Sequence, residues 1–79
     1  MANNEATLQQ AIVQILREEL DDRGISYRDL EYRTGINTGT LSKILNEKTS
    51  LRIEQLDKLC EGIGVDVFAV VKRAKQRTQ

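Results

Sequence analysis

The sequence predicts a compact all-α domain of five helices. In several segments apolar residues recur every three or four positions, which is the spacing of one face of an α-helix. The chain has no proline, no internal repeat and no low-complexity linker. Gly24, Gly35 and the segment 62–64 lie where the helical patterns stop. Because 79 residues make one small core, we expect a single domain over residues 1–79.

The first predicted helix runs from about residue 6 to residue 23 and is ended by Gly24. Its apolar stripe is more typical of a core-facing surface than of a groove for a partner. Val13 lies off the stripe, so we expect that side chain to be exposed. We expect the polar N-terminus, residues 1–5, to be less ordered. The stripe consists of Leu8, Ala11, Ile12, Ile15, Leu16 and Leu20.

Residues 26–46 predict two short helices joined at a corner. Ser26 can cap the first of them, with Asp29 three residues later as a weak form of the capping box. Gly35 ends it, because the residue after a helix often needs a positive φ that glycine adopts without steric cost. Asn37 can cap the second helix. The core stripe of that second helix is formed by Leu41, Ile44 and Leu45.

The opposite face of the second short helix is polar and small. A helix that lies in the major groove of DNA needs short hydrogen-bonding side chains near its N-terminus and few bulky residues that would hold it away from the bases. This face therefore indicates DNA binding. It carries Gly39, Ser42, Lys43 and Asn46, with Thr38 at its leading edge.

The rest of the chain predicts two further helices. The fourth is expected to begin between residues 50 and 53 and to stop near residues 62–64. Asp66 can cap a fifth, which runs into a basic tail, residues 72–79. We expect this tail to be less ordered, and its charges are more typical of a solvated helix end, favourable to the helix dipole, than of an arm that reaches into a groove.

The fifth helix carries more apolar surface than one core-facing side can use, because residues 67–71 are all apolar. An exposed apolar patch commonly marks a contact surface. We therefore favour a dimer interface, with Val67, Phe68 and Val71 as candidates. The alternative is that Phe68 folds back onto the first helix and belongs to the core.

An ordered set of motifs extends from about residue 24 to residue 71. It resembles the helix-turn-helix family of phage repressors and Cro proteins, often called Xre-like. The resemblance implies a lambda-repressor-like fold, with the helix-turn-helix at the second and third helices. The motifs are Leu30, Gly35-Ile36, Leu41-Ser42-Lys43-Ile44, Asn46-x-Lys48, Ile53-Glu54-x-Leu56-x-Lys58-Leu59 and Ile63-Gly64-Val65.

Three residues depart from the family pattern. Glu31 stands where the family usually has alanine, which predicts a wider crossing of the two helices or a carboxylate that leans outward. Tyr27 replaces a phosphate-holding glutamine, and either its hydroxyl takes that role or its ring packs. Glu47 replaces the glycine after the recognition helix, so Asn46 or Glu47 is expected to adopt the left-handed conformation.

The resemblance implies a sequence-specific regulator of transcription, of the repressor or Cro type, that binds double-stranded DNA with the third helix in the major groove. One such helix reads only a few base pairs, so we expect a homodimer on a pseudo-palindromic operator. For each candidate the alternative is a solvated helix face or a cap, most seriously for Asn37, Arg33 and Thr40. The base-contacting candidates are Thr38, Gly39, Thr40, Ser42 and Lys43, and the phosphate-contacting candidates are Tyr27, Arg28, Asn37, Asn46 and Lys48.

Charge is the strongest argument against DNA binding, because 12 basic residues are balanced by 12 acidic ones. The distribution favours it. Residues 1–24 hold two arginines against five carboxylates, for a net charge of −3, whereas residues 25–50 carry +1 and the remainder +2. We expect the acidic first helix to face away from the duplex.

The composition excludes several other functions. With one cysteine and no histidine, the chain has neither a zinc ligand set nor a nucleophile with its base, so we expect no enzyme activity, no metal and no cofactor. Cys60 is more typical of a small buried residue than of a reactive thiol. No apolar run approaches 18 residues and the N-terminus lacks the pattern of a secretory signal, so we expect a cytoplasmic protein without membrane contact. No small-molecule ligand is evident.

Other functions stay open at this stage. The same fold can serve as a protein-interaction module, such as an antitoxin or antirepressor, with weak or no DNA binding; Glu31, Glu47 and the neutral charge favour it. The chain can also be the recognition domain of a longer regulator. RNA binding is the weakest alternative, because two tyrosines, one phenylalanine and no tryptophan offer few stacking platforms.

Overall fold

The computed structural model describes residues 7–78, and within this range all regular structure is helical. The polar residues 1–5 and the predicted start of the first helix at residue 6 lie outside it. The all-α prediction with five helices is confirmed. The helices are α1 (Leu8–Arg23), α2 (Tyr27–Thr34), α3 (Thr38–Leu45), α4 (Ile53–Ile63) and α5 (Val67–Arg77).

The ends of α2 follow from short-range hydrogen bonds. The Ser26 hydroxyl accepts a bond of 3.0 Å from the Asp29 backbone N–H, and the Asp29 carboxylate accepts one of 3.2 Å from the Ser26 N–H. This reciprocal pair is the predicted capping box, and it lowers the pKa of Asp29 because the charged carboxylate receives the backbone bond. Gly35 ends α2 with a φ of 78°, which turns the chain toward α3.

Helix α1 is the centre of the core. It packs against α3, α4 and α5, and it buries six apolar side chains. The expectation that Val13 is exposed was wrong, since only 2% of this residue is accessible. Neighbours on several sides of α1 cover an apolar face that is wider than a single stripe. The six side chains are Ala11, Ile12, Val13, Ile15, Leu16 and Leu20.

Helix α2 is held tightly against α4 at Gly62. A Cβ atom at that position would lie 2.6 Å from Thr34 Cγ2 and 3.3 Å from Leu30 Cδ1, so only glycine leaves room for this approach. The Arg33 guanidinium donates a bond of 3.0 Å to the Gly62 carbonyl oxygen. Steric fit and a hydrogen bond thus fix α2, and the turn to α3, relative to the rest of the domain.

Helix α5 continues to Arg77, so the basic tail, expected to be less ordered from residue 72, is helical through Arg77. Two arginines bind α1: Arg73 lies 3.1 Å from Glu19, and Arg77 lies 2.7 Å from Glu18. These bonds lower the pKa values of both glutamates. The sequence does not reveal them, because the partners lie more than 50 residues apart.

Cys60 belongs to the core, as its position predicted. Burial, with a smaller contribution from the carboxylates of Asp57 and Asp66, raises the pKa of its thiol to about 11. The thiol is therefore protonated near neutral pH and packs as a small apolar group. Across residues 7–78, none of the helices has the length and apolar character that crossing a membrane requires.

Candidate nucleic-acid interface

Helix α3 presents a polar surface because its other side is locked into the core. Leu41, Ile44 and Leu45 are fully buried. At about 100° per residue, Gly39, Lys43 and Asn46 then point away from the core, and these three are exposed. Ser42, beside them, is half-buried and still reaches the surface. The four residues that the sequence assigned to this face thus lie together.

The two threonines of α3 differ in position. Thr38 is exposed in the first turn. Thr40 is half-buried and lies about 100° around the helix from Gly39, toward the core. Four of the five base-contact candidates therefore share one accessible region, and Thr40 flanks it.

Both asparagines at the ends of α3 are occupied in capping. The Asn37 side-chain oxygen accepts a bond of 2.8 Å from the Thr40 backbone N–H, as predicted for the N-cap. The Asn46 amide donates to the Ser42 carbonyl oxygen at 2.8 Å and to the Ser42 hydroxyl at 3.2 Å. Asn37 keeps its amide nitrogen as a free donor, so a cap and a hydrogen bond to a phosphate are compatible there. The free atom of Asn46 is its amide oxygen, which cannot donate to a phosphate, so a phosphate contact at this position requires the amide nitrogen to leave Ser42.

The chain leaves α3 through a turn at Glu47, whose φ of 61° is the predicted left-handed conformation. This turn lets the Lys48 N–H donate a bond of 2.7 Å to the Lys43 carbonyl oxygen. Lys43 and Lys48 consequently lie at the same end of α3, and neither has a carboxylate within ion-pair distance in residues 7–78.

A shallow polar depression surrounds these lysines, with an open volume of about 740 Å³. It has the chemistry of a surface that binds phosphate oxygens, since it combines two ammonium groups with two hydroxyl donors. Thr49 was missing from the sequence-based candidates. The signal that could have found it is its place directly after Lys48, in the same polar turn. The lining residues are Ser42, Lys43, Asn46, Lys48 and Thr49.

Two phosphate-contact candidates in the N-terminal turn of α2 differ in their surroundings. Tyr27 is half-buried and its side chain packs against the core, so ring packing is the alternative that the structure supports. Arg28 is exposed and has no ion pair with any residue in the range 7–78. Arg33 is committed to the Gly62 carbonyl oxygen, in agreement with its capping alternative.

The three dimer candidates lie on α5. Val67 and Val71 are half-buried and pack against the core, but 79% of Phe68 is accessible. The alternative that Phe68 folds back onto α1 was therefore wrong. All three line a groove between α4 and α5.

Comparisons with known proteins agree with this geometry. Residues 15–67 match the family model of the Cro/C1-type helix-turn-helix DNA-binding domain. Among solved structures, the clp gene regulator ClgR from Corynebacterium glutamicum is similar, with a TM-score of 0.82 and 25% identity over 95% of this chain and 97% of that one. A second ClgR structure gives a TM-score of 0.80 and 26% identity over 91% of this chain and 77% of that one.

An XRE-family like protein from Pseudomonas syringae pv. tomato str. DC3000 is also similar. Its TM-score is 0.82, and it is 28% identical over 91% of this chain and 88% of its own length. No curated protein sequence gives a match.

Proposed function

Because the chain belongs to the family of Cro/C1-type helix-turn-helix DNA-binding domains, and is thus a DNA-binding transcription regulator, we propose that it reads a specific operator through α3 as a homodimer. The family is a class of regulators and not of enzymes. In this proposal α3 lies in the major groove and the protein acts as a repressor or Cro-like regulator.

The observation that carries this proposal is the accessible face of α3. Gly39, Ser42 and Lys43 put a bare backbone, a hydroxyl and an ammonium group on one side of a helix whose other side is fully buried. Hydroxyl and ammonium groups read base edges, with lysine favouring the acceptors of guanine. Thr38 and Asn46 extend the same surface toward its two ends, and Thr40 takes a flanking role.

Phosphate contacts are proposed for Arg28, Lys48, the free amide nitrogen of Asn37 and the hydroxyl of Tyr27, whose ring packs against the core. Asn46 is proposed to join them when its amide nitrogen leaves Ser42 for a phosphate oxygen. Three basic groups per subunit, Arg28, Lys43 and Lys48, are free of ion pairs in residues 7–78. If a dimer places about six of them on phosphates, the logarithm of the binding constant should fall with the logarithm of salt at a slope of about −5.

A homodimer is proposed because one recognition helix discriminates too weakly among genomic sites. Each base pair contributes about 1–3 kcal/mol, while a genome offers on the order of 10⁶ or more competitors. Two copies related by a two-fold axis can place α3 in successive major grooves about 34 Å apart, which requires a pseudo-palindrome. The exposed Phe68, with Val67 and Val71 beside it, supplies an apolar contact surface for the second copy.

The test is selection of bound duplexes from a random DNA library at moderate salt. We expect a pseudo-palindrome with half-sites about one helical turn apart. We expect Lys43→Ala to weaken binding to the selected duplex about tenfold or more, or to relax the sequence at one position, because a base contact is lost. Arg17→Ala is the matched control, since Arg17 is an exposed cation on the acidic helix α1.

The control variant should bind as the parent does. If Arg17→Ala and Lys43→Ala weaken binding equally, the effect is one of total charge and α3 is not the reading element. If no sequence is enriched although circular dichroism shows a folded protein, the proposal fails.

The second candidate is an interaction module with weak or no DNA binding, in the manner of an antitoxin or antirepressor. The apolar groove between α4 and α5 favours it, because Ile53 and Phe68 are 72% and 79% exposed. A gel-shift titration with random duplexes at low salt separates the two candidates. Binding that salt weakens supports the regulator, and its absence supports the module.

A further inference from the structure

An apolar groove runs between α4 and α5, on a part of the surface distinct from the polar face of α3. Its open volume is about 510 Å³. Two side chains stand above it with most of their surface in water, Ile53 at 72% and Phe68 at 79%. The apolar lining residues, which we call the α4–α5 groove, are Ile53, Leu56, Val67, Phe68 and Val71.

The α4 edge of the groove is acidic. Glu54 and Asp57 line it and are exposed. Neither carboxylate has an ion-pair partner within residues 7–78. The groove therefore offers a partner an apolar floor beside two free negative charges.

The α5 edge is basic on the side that carries Phe68. At about 100° per residue, Lys72 and Lys75 lie within about 40° of Phe68 around the α5 axis. Both are exposed and have no carboxylate within ion-pair distance among the described residues. The arginines of α5 lie on another side, where Arg73 and Arg77 bind Glu19 and Glu18 of α1.

We propose that the occupant of the α4–α5 groove is Phe68 of a second copy of this chain, with Lys72 and Lys75 of each copy beside Glu54 and Asp57 of the other. The inference rests on the homodimer of the proposed function and adds α4 to its interface. A two-fold axis makes this exchange reciprocal, because the surface that donates Phe68 and the surface that receives it adjoin on one molecule. An apolar centre bordered by complementary charges is the usual organisation of a protein interface.

The first experiment measures self-association by sedimentation equilibrium for the parent chain, Phe68→Ala and Tyr32→Ala. Tyr32 is a matched control, because it is an aromatic residue that is 93% exposed on α2, away from the groove. We expect Phe68→Ala to raise the dimer dissociation constant about a hundredfold or more, since two buried rings are lost per dimer. Tyr32→Ala should leave the constant unchanged.

The second experiment exchanges the charges at the two edges. One variant carries Glu54→Lys and Asp57→Lys, and the other carries Lys72→Glu and Lys75→Glu. Each alone brings like charges together across the two-fold axis, so we expect each to be monomeric at concentrations where the parent is dimeric. An equimolar mixture should form a heterodimer, because each edge of one variant then lies against an edge of opposite charge on the other. All four residues are exposed, and circular dichroism checks that each variant is folded.

The outcomes separate this inference from DNA binding. Restored association in the mixture supports the reciprocal contact. A mixture that stays monomeric, or a Phe68→Ala variant that dimerises like the parent, overturns it. A parent chain that is monomeric also overturns it, while DNA binding through α3, measured independently by the effect of Lys43→Ala on duplex affinity, can still stand. If association follows the charge exchange but no duplex binds, the proposed function fails and the interface stands.

Discussion

Two charged surfaces of this domain use their charges differently. Between α1 and α5, arginines and glutamates neutralise one another: Glu19 lies 3.1 Å from Arg23 and from Arg73, and Arg77 lies 2.7 Å from Glu18. Around α3, Lys43 and Lys48 have no such partner among residues 7–78. The first surface uses its charges within the fold, and the second leaves its positive charges available to a ligand.

This difference explains how a chain with no net charge can present a surface that is compatible with DNA binding. Neutrality counts all 12 basic and 12 acidic residues equally. Two acids, Glu18 and Glu19, are already paired with arginines on the α1–α5 surface. Ionic screening limits the effect of exposed charges to about 10 Å, so paired acids on another surface offset the lysines beside α3 only weakly. The spatial arrangement of charge therefore carries more information about binding than its sum.

The largest expected effect comes from removing core packing beneath the helix-turn-helix. Leu30 is fully buried beneath the helix-turn-helix, so Leu30→Ala should lower the free energy of unfolding by about 2–5 kcal/mol. Small domains have total stabilities of roughly 5–15 kcal/mol, so this variant should be partly unfolded well below the parent's melting temperature. Urea denaturation followed by circular dichroism measures the change.

Tyr32→Ala is the control for that experiment, because Tyr32 lies two residues further along α2 and is 93% exposed. It should change stability by no more than about 0.5 kcal/mol. Equal losses in the two variants would contradict a core that includes the buried face of α2.

Substitutions at two glycines are expected to give the next largest effects. They distinguish a residue of the DNA-binding face from a residue that packs two helices together. Gly39 lies on the α3 face, where an added Cβ meets only Asn37 Oδ1, at 3.3 Å, whereas at Gly62 it would meet Thr34 at 2.6 Å. Gly62→Ala should therefore cost about 1–3 kcal/mol of stability. Gly39→Ala should leave stability equal or up to about 1 kcal/mol higher, and weaken DNA binding about tenfold, since a methyl group enters the groove.

Thermal unfolding and fluorescence anisotropy with the selected duplex measure these two quantities on the same samples. Unchanged affinity in Gly39→Ala would show that the α3 backbone does not approach the bases at this point. A stability loss equal to that of Gly62→Ala would contradict the milder crowding at Gly39, where the Asn37 oxygen has to shift by only a few tenths of an ångström.

The sequence was sufficient for features that depend on neighbouring residues. The caps at Ser26, Asn37 and Asp66 and the left-handed Gly35 are set within four residues, and they lie where the pattern predicted them. The polar face of α3 could also be predicted, because helical spacing alone separates Leu41, Ile44 and Leu45 from the polar side. Which of its residues touch DNA stays a prediction.

The features that could not be predicted from the sequence depend on contacts between distant segments. Val13 is buried because several helices surround α1, and the basic tail is joined to α1 by arginines that reach back to Glu18 and Glu19. The sequence predicted a helix end near Gly62 but not the close packing of α2 against α4 there, since that packing depends on Thr34 in another helix. No local pattern encodes these pairings.

A smaller effect is expected at Glu47, where a strained backbone and a negative charge adjoin the lysines. A left-handed conformation costs a non-glycine residue about 1–2 kcal/mol, part of which glycine returns through its more flexible unfolded state. Glu47→Gly should therefore raise stability by up to about 1 kcal/mol and, by removing a carboxylate near phosphates, raise DNA affinity a few-fold. Glu47→Gln should reproduce the affinity gain without the stability gain. If it reproduces both, backbone strain is not the cause.

The smallest effect is expected from the ion pairs between α1 and α5 at low pH. Their hydrogen bonds with arginines lower the pKa values of Glu18 and Glu19 below the ordinary 4.5, so both favour the folded state once they are ionised. This stabilisation is complete above about pH 5 and is lost as the pH falls through the lowered values. Because the Glu18 side chain is 50% exposed and Arg73 is 44% exposed, we expect no more than about 1 kcal/mol from each pair.

Urea titrations between pH 7 and pH 3 test this contribution. The double variant Glu18→Gln and Glu19→Gln should lose less stability on acidification than the parent, whereas Glu54→Gln, whose residue has no ion pair within residues 7–78, should follow the parent. High salt should reduce the difference by screening. If the double variant followed the parent's pH profile, these ion pairs would contribute nothing measurable to stability. The carboxylates of Glu18 and Glu19 would then behave as unpaired charges, like the lysines beside α3.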